Sequence, residues 1–399
     1  MSFTNSFDSR SRPLETLVIT LTEEHSSVIR NSNSLTSKVP ISLFKCMSWI
    51  GLVEEPYGQP LHRITAKIFK IILILTKLDM WISYFIYYGV FDWKVTFTNL
   101  VSGISDFGIY FTLYCKRDLL TITVQKLHEL SVSSNKRIIN FITIVVCCMP
   151  VVLLTLRVID YLEDQWSARF ETYGILIENN IIRILFLSIK YFFHVLVHPT
   201  LTCLVALLYC VLSQHCCYQI NILSEEVFQA YPEQFGPPKQ MNILERKARL
   251  DDILEKVQAI FSMPSFFIIA GNILFCGSAL MTINDINREG LFSYVIVEIA
   301  LRNIIYISCV FIMLWMTSKL SVQMKKLKND FFKKVRSRIL YTKNLKEINS
   351  KRNLFGQEDF VLTECDIILC KRSTILSITG SLIIYIFILI NVKTREESY

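Results

Sequence analysis

The sequence predicts an all-α polytopic membrane protein with seven transmembrane helices. The first observation is the distribution of apolar residues, which form seven stretches of membrane length: Ile68–Phe91, Val95–Cys115, Ile138–Ile159, Ile181–Leu212, Ala259–Ile283, Leu291–Ser318 and Ser373–Val392. A bilayer core of about 30 Å needs roughly 20 helical residues, and each stretch reaches that length. Backbone amides facing lipid must be paired within their own segment, so each stretch should be a helix.

The second observation is the distribution of basic residues, which predicts a cytosolic N-terminus and an extracellular C-terminus. In that orientation the inner segments hold 31 of the 42 Lys and Arg residues, and the outer segments hold 5. Positive residues are enriched in the cytosolic loops of membrane proteins. The net charge of +8 then belongs mainly to the inner face, where it suits anionic membrane lipid and gives no reason to expect nucleic acid.

The N-terminal part begins with a polar segment. Residues 1–40 are rich in Ser, Thr and Asn and should form a disordered cytosolic tail. Residues 41–63 contain an apolar run too short to span, and should form a short amphipathic or re-entrant segment. Transmembrane helices one to four occupy residues 64–213. In the first of them Lys77 and Asp79 do not share a helix face, so each should find its partner on another helix.

Several of the later spans should continue as helices into the cytosol. The fourth apolar stretch is 32 residues long, more than the bilayer alone requires. Residues 214–258 should form a cytosolic linker and an amphipathic helix that runs into the fifth span, with apolar positions at Leu244, Leu250, Ile253, Leu254 and Val257. Helices five and six occupy residues 259–318, and residues 319–372 form a basic cytosolic anchor segment. These extensions could hold subunits together or could be simple continuations of the spans.

The last span, residues 373–392, carries no charge, and its polar groups follow one stripe. At about 100° per residue a narrow sector contains Ser373, Ser377, Ser381, Ile384, Ile388 and Asn391, with Tyr385 at its border and Thr379 on the far side. Such a stripe suits a helix that lines a water path or packs on small-residue neighbours. Residues 393–399 would form an extracellular tail.

Charged and aromatic residues in the outer halves of the spans could line a ligand pocket. Charges inside a membrane usually face a cavity or a partner. Glu298 and Arg302 are four residues apart and should pair with each other. Asp106 has no cation on its own helix, so Arg183, Lys190 or a cationic ligand should meet it. The candidate ligand-binding residues are Tyr84, Phe97, Asp106, Arg157, Tyr161, Arg183, Tyr294 and Glu298, with Tyr87 as a further aromatic. The alternative for the aromatic residues is an anchoring belt at the membrane interface.

Enzymatic and metal-dependent functions find no support in the residue patterns. His194 and His198 have a spacing that can hold a metal, but the intervening residues lack the Glu of the His-Glu-x-x-His motif. We therefore expect no catalytic residues, no metal and no cofactor.

The C-terminal end resembles the signature of insect gustatory receptors, a branch of the insect chemoreceptor superfamily. The last helix of that family carries Thr-Tyr, five apolar residues and Gln-Phe. The same frame here reads Ile384-Tyr385, then Ile386 to Ile390, then Asn391-Val392. Tyrosine and the spacing are kept, and Asn replaces Gln. The upstream Thr363, Cys365 and Arg372-Ser373-Thr374 also fit the family pattern.

This resemblance implies a gustatory receptor that acts as a ligand-gated, non-selective cation channel and detects a small-molecule tastant, with bitter compounds favoured. It implies a tetramer of identical or related subunits in the plasma membrane of sensory neurons. The pore and gate would then be formed by Ser377, Ser381, Ile384, Tyr385, Ile388 and Asn391, although Asn391 could also be an interfacial residue at a helix end. An odorant receptor of the same superfamily and a membrane transporter are the alternatives.

Overall fold

The structure is a computed structural model that describes residues 41–54, 60–86, 93–129, 136–163, 171–175, 177–289, 293–342, 363–364, 368–369 and 380. Nearly all of these residues are helical, as the all-α prediction requires. The helices are α1 (Ile41–Ile50), α2 (Pro60–Ile86), α3 (Trp93–Cys115), α4 (Arg117–Glu129), α5 (Lys136–Glu163), α6 (Asn180–Val195), a π-helical turn (Leu196–Thr200), α7 (Leu201–Gln229), α8 (Pro237–Glu289) and α9 (Ser293–Thr342). A two-residue antiparallel pair, β1 (Thr363–Glu364) and β2 (Ile368–Leu369), is the exception.

Four of the described helical segments are long and apolar enough to cross a membrane: Lys136–Ile159, Asn180–Gln229, Pro237–Ala279 and Ile296–Tyr341. The predicted first and second spans form α2 and α3, which fall short of that measure; in α2 the charges of Lys70, Lys77 and Asp79 interrupt the apolar sequence. The predicted seventh span lies outside the described residues except for Gly380. The number of spans and the orientation of the chain therefore stay predictions.

The predicted fourth span is not one continuous α-helix. Its N-terminus is capped by Asn179, whose side chain accepts hydrogen bonds from the backbone N–H groups of Ile181 and Ile182. The π-helical turn then breaks the helix, with His198 in extended backbone geometry at φ −146° and ψ 117°. Pro199 has no N–H to donate to the carbonyl four residues earlier. The hydroxyl of Thr200 donates to that carbonyl, of Val195, at 2.9 Å instead.

Helices α8 and α9 are 53 and 50 residues long, so the predicted helical extensions of the fifth and sixth spans are present. The stripe predicted from the sequence of α8 faces the protein interior, since all five of its members are buried: Leu244, Leu250, Ile253, Leu254 and Val257. They belong to a continuous hydrophobic core with buried residues of α7 and α9, among them Ile220, Leu223, Leu320, Leu327 and Phe331. A hydrogen bond of 2.6 Å between the hydroxyls of Tyr209 and Thr317 also joins α7 to α9.

Small residues bring α3 and α8 into close contact. A Cβ atom added at Gly108 would lie 2.8 Å from the ring of Phe267, and one added at Gly271 would lie 2.9 Å from the Cβ of Ser105. Close approach over small residues is typical of helix pairs in membranes, where dispersion contacts replace the hydrophobic effect. This contact holds α3 with Asp106 against the part of α8 that carries Phe275.

Candidate functional site

Helices α2, α3, α5, α6, α8 and α9 surround a cavity of about 270 Å³. Its walls combine apolar surface with many titratable side chains, namely four carboxylates, four Lys or Arg side chains and two histidines: Asp79, Asp106, Glu171, Glu298, Lys77, Arg157, Lys190, Arg302, His194 and His198. A charged side chain among membrane-spanning helices costs free energy unless an opposite charge pairs with it. Every carboxylate of the cavity accordingly has at least one cationic partner, in three clusters described below.

The first cluster centres on Asp106, whose side chain is only 2% exposed. Lys77 of α2 donates to its Oδ2 at 2.5 Å, and His198 of the π-helical turn donates from Nδ1 to its Oδ1 at 2.5 Å. The prediction that Arg183 or Lys190 would pair with Asp106 is wrong, since neither reaches it. The partner predicted for Lys77 on another helix is confirmed.

The ring of His198 is held by aromatic neighbours. It stacks on Tyr306 of α9 with 4.9 Å between centroids, and it lies 5.4 Å from the ring of Phe275 of α8. Its Nε2 atom is buried and has no hydrogen-bond partner among the described residues. Sequence reasoning did not find this residue as a partner for Asp106; the Pro that follows it inside an apolar stretch was the available signal, because Pro breaks the helix and redirects the side chain before it.

The second cluster, called here the arginine cluster, consists of Glu298, Arg302 and Arg157. Arg302 lies 2.8 Å from one carboxylate oxygen of Glu298 and Arg157 lies 3.7 Å from the other, so the predicted Glu298–Arg302 pair is confirmed. The hydroxyl of Tyr191 donates to Glu298 at 2.5 Å and accepts from Arg302 at 2.5 Å. Two guanidinium groups therefore contact the same carboxylate.

The third cluster, called here the lysine cluster, consists of Lys190, Asp79, Glu171 and Tyr173. Lys190 lies 3.2 Å from a carboxylate oxygen of Asp79 and 3.1 Å from one of Glu171, so two carboxylates share one ammonium group. The hydroxyl of Tyr173 donates to Asp79, and its ring lies 4.5 Å below the Lys190 ammonium. Partial burial and the hydrogen bond to Asp79 raise the pKa of Tyr173, which keeps the hydroxyl protonated. Asp79 thus has the partner on another helix that the sequence predicted.

Four of the eight predicted ligand-binding residues line this cavity: Tyr84, Asp106, Arg157 and Glu298. Tyr161 is buried beside it, with the Arg157 guanidinium 5.2 Å from its ring, and Arg183 is not part of the wall. Phe97 is 59% exposed on the surface of α3. The side chain of Tyr294, the further aromatic Tyr87 and the six predicted pore positions lie outside the residues whose side chains the structure describes.

The described residues contain no group of three or more His, Cys, Asp or Glu side chains placed to hold a metal ion. His194 and His198 both reach the cavity wall, His194 from α6 and His198 from the π-helical turn. The charged and polar side chains of the wall can form hydrogen bonds and ion pairs.

The fold is that of an insect olfactory receptor. The chain is similar to olfactory receptor OR5 from Machilis hrabei with a TM-score of 0.60 and 11% identity, over 88% of this chain and 99% of that one. The structure of the same receptor in complex with eugenol is similar with a TM-score of 0.66 and 15% identity, over 91% of this chain and 99% of that one. No protein-family model matches the sequence, and no curated protein matches it.

These structures confirm the fold that the sequence resemblance implied, that of the insect chemoreceptor superfamily. At 11% and 15% identity these structures show the fold and do not assign the chain to the gustatory branch. Both neighbours are olfactory receptors by name.

Proposed function

We propose that the protein is an insect chemoreceptor of the gustatory type, a ligand-gated and non-selective cation channel in the plasma membrane of sensory neurons. The observation that carries this proposal is the fold shared over 91% of the chain with a receptor solved in complex with a small molecule, eugenol. The Tyr385–Asn391 spacing in the last span supports the gustatory branch. The expected ligand is a small tastant, with bitter compounds favoured.

The polar cavity is the proposed ligand site. Small-molecule sites are usually concave, enclosed by several elements and furnished with a few placed polar groups. At about 270 Å³ the cavity is slightly smaller than the range of roughly 300–1,000 Å³ that drug-sized ligands occupy. A ligand of this receptor would accordingly be smaller than a typical drug.

The break in the fourth span offers a route from this site to the rest of the subunit. His198 contributes to the cavity wall and lies at the junction between α6 and α7. Helix α7 continues without interruption into the core that it shares with α8 and α9. A ligand that shifts His198 would therefore bias the position of α7. In the assembled tetramer this bias would reach the last helix, where Ile388 could close the path by dewetting and Asn391 could contact hydrated cations.

Current recording with cysteine substitutions tests the channel. Ser377, Ser381, Ile388 and Asn391 are replaced by Cys one at a time, and a cationic thiol reagent is applied during ligand-evoked current. Block is expected at these four positions, because their stripe would face the ion path. Thr379→Cys, on the far side of the same helix, is the matched control and should behave like the parent protein. Equal insensitivity at all five positions would refute the pore assignment.

The olfactory alternative is favoured by one observation, since both structural neighbours are olfactory receptors. Expression of the chain alone, and together with an olfactory co-receptor, separates the two. Ligand-evoked current from the chain alone supports the gustatory proposal, whereas current that requires the co-receptor supports the olfactory one. Substrate flux without channel-like current would support a transporter instead.

A further inference from the structure

We infer that the exposed side of α2 binds an anionic phospholipid, with the lipid headgroup near the start of the helix and an acyl chain along the rest of it. This inference goes beyond the proposed receptor function. It uses the predicted cytosolic N-terminus, which places the start of α2 at the inner leaflet, where anionic lipids are concentrated. It follows from one row of exposed side chains, called here the α2 stripe: Arg63, Lys67, Lys70, Ile74, Leu78, Trp81 and Phe85.

The α2 stripe is continuous along the helix. Its members are three or four residues apart, and at about 100° per residue all seven fall within a sector of about 80°. Every one of them is exposed. Phe69, Leu73 and Thr76, on the other side of the same helix, are buried. The stripe is therefore the face that α2 turns away from the protein interior.

The chemical character of the α2 stripe changes once along its length. The first three members are basic and the last four are apolar. At 1.5 Å per residue the basic part covers about 10 Å of the helix axis, and the apolar part covers about 17 Å. One leaflet of a bilayer core about 30 Å thick measures roughly 15 Å. The stripe therefore matches a phospholipid both in the order of its parts and in their lengths.

The basic side chains of the stripe are available to a ligand. Within the part of the chain that the structure describes, the side chains of Arg63 and Lys67 form no hydrogen bond or ion pair. The ammonium group of Lys70 lies 5.0 Å from the centre of the Tyr114 ring and pairs with no carboxylate among the same residues. Basic residues of α8, in contrast, have carboxylate partners: Arg246 pairs with Glu226, Lys247 with Asp251 and Lys256 with Asp252. Lys and Arg that lack an acidic partner suit the phosphate of a lipid headgroup.

The start of α2 has the features of a membrane–water interface. Ser48 of α1 forms a hydrogen bond of 2.9 Å with His62, which brings the neighbouring Trp49 close to the level of Arg63. Trp49 is 50% exposed, and tryptophan is enriched where lipid headgroups meet the acyl chains. Lys70 lies just inside the predicted first span, and the length of its side chain allows its ammonium group to reach the headgroup level.

Other occupants suit the α2 stripe less well. A phospholipid without net charge would cover the apolar part and leave three cations without a counter-charge. A second subunit would have to bring carboxylates to the same three positions and cover Phe85, which is 83% exposed. An anionic headgroup supplies the counter-charge directly, since each Lys or Arg near an anionic lipid surface adds to the attraction.

The test is native mass spectrometry of the purified full-length protein in detergent, with equal amounts of dioleoyl phosphatidylserine and dioleoyl phosphatidylcholine added. The two lipids have the same acyl chains, so a difference in binding reports the headgroup. We expect the protein to retain at least about tenfold more phosphatidylserine than phosphatidylcholine. Equal retention of the two lipids would overturn the inference.

Two triple variants locate the binding site. Arg63→Gln with Lys67→Gln and Lys70→Gln removes the basic part of the stripe and should reduce phosphatidylserine retention about tenfold. Lys326→Gln with Lys333→Gln and Arg336→Gln is the matched control, because it removes the same charges from exposed positions on the cytosolic extension of α9. The control should retain the lipid like the parent. An unchanged preference in the stripe variant, or an equal loss in the control, would overturn the inference.

Two further observations from the same experiment distinguish the lipid from other occupants. Glycerophosphoserine, the headgroup without acyl chains, should not displace phosphatidylserine at an equal concentration, because it cannot contact the apolar part of the stripe. Displacement by this compound would assign the site to a soluble phosphate compound and overturn the lipid inference. The stripe variant should keep the oligomeric mass of the parent, and a change in that mass would assign the face to a subunit contact instead.

Discussion

Replacing Asp106 by Asn is the most direct test of the buried network at the cavity. The change keeps the shape of the side chain and removes its charge, so that Lys77, whose side chain is 5% exposed, is left without a counter-charge. Breaking a buried ion pair by removing one partner typically costs about 3–5 kcal/mol. His198 can still donate from Nδ1 to the Asn carbonyl oxygen, so the loss should come mainly from Lys77.

Equilibrium unfolding in detergent, followed by tryptophan fluorescence, measures this cost. The double variant Lys77→Met with Asp106→Asn removes both charges and should recover most of the lost stability, since replacing a whole buried pair by uncharged groups is often neutral. Asp118→Asn is the surface control; its carboxylate pairs with Arg117 but is 78% exposed, and the change should stay within about 0.5 kcal/mol. A loss below about 1 kcal/mol for Asp106→Asn, or a double variant as unstable as the single one, would refute the reasoning.

Two further perturbations address packing and pH. Gly271→Val should destabilise the protein by about 1–3 kcal/mol in the same unfolding assay, because its Cβ would lie 2.9 Å from the Cβ of Ser105. Adding Ser105→Gly to this variant should restore part of the lost stability, and a Gly271→Val protein as stable as the parent would contradict the close contact. The raised pKa of Tyr173 favours the folded state below the ordinary tyrosine pKa of about 10, and this advantage is lost as pH rises through and above that value. The melting temperature of the parent protein should therefore exceed that of Tyr173→Phe at pH 7, and the difference should shrink above about pH 10; a difference that grows with pH would contradict this assignment.

The sequence predicts the helices well, because apolar length and the helical spacing of apolar residues can each be read within a single segment. Apolar length and the scarcity of charge place the third span at Ile138–Ile159, and α5 covers Lys136–Glu163. Helical spacing of Leu244, Leu250 and Leu254 identifies the buried face of α8, and all three are buried. These properties need no knowledge of how one helix is rotated against another.

The cavity was only partly predictable, because its contacts depend on those rotations. The Glu298–Arg302 pair lies within one helix turn and follows from spacing. The partners of Asp106 lie 29 residues before it and 92 residues after it, on elements whose mutual orientation no local pattern fixes. His198 reaches Asp106 because the backbone leaves helical geometry at the π-helical turn. In a continuous helix over residues 181–212 the side chain of His198 would point in a different direction.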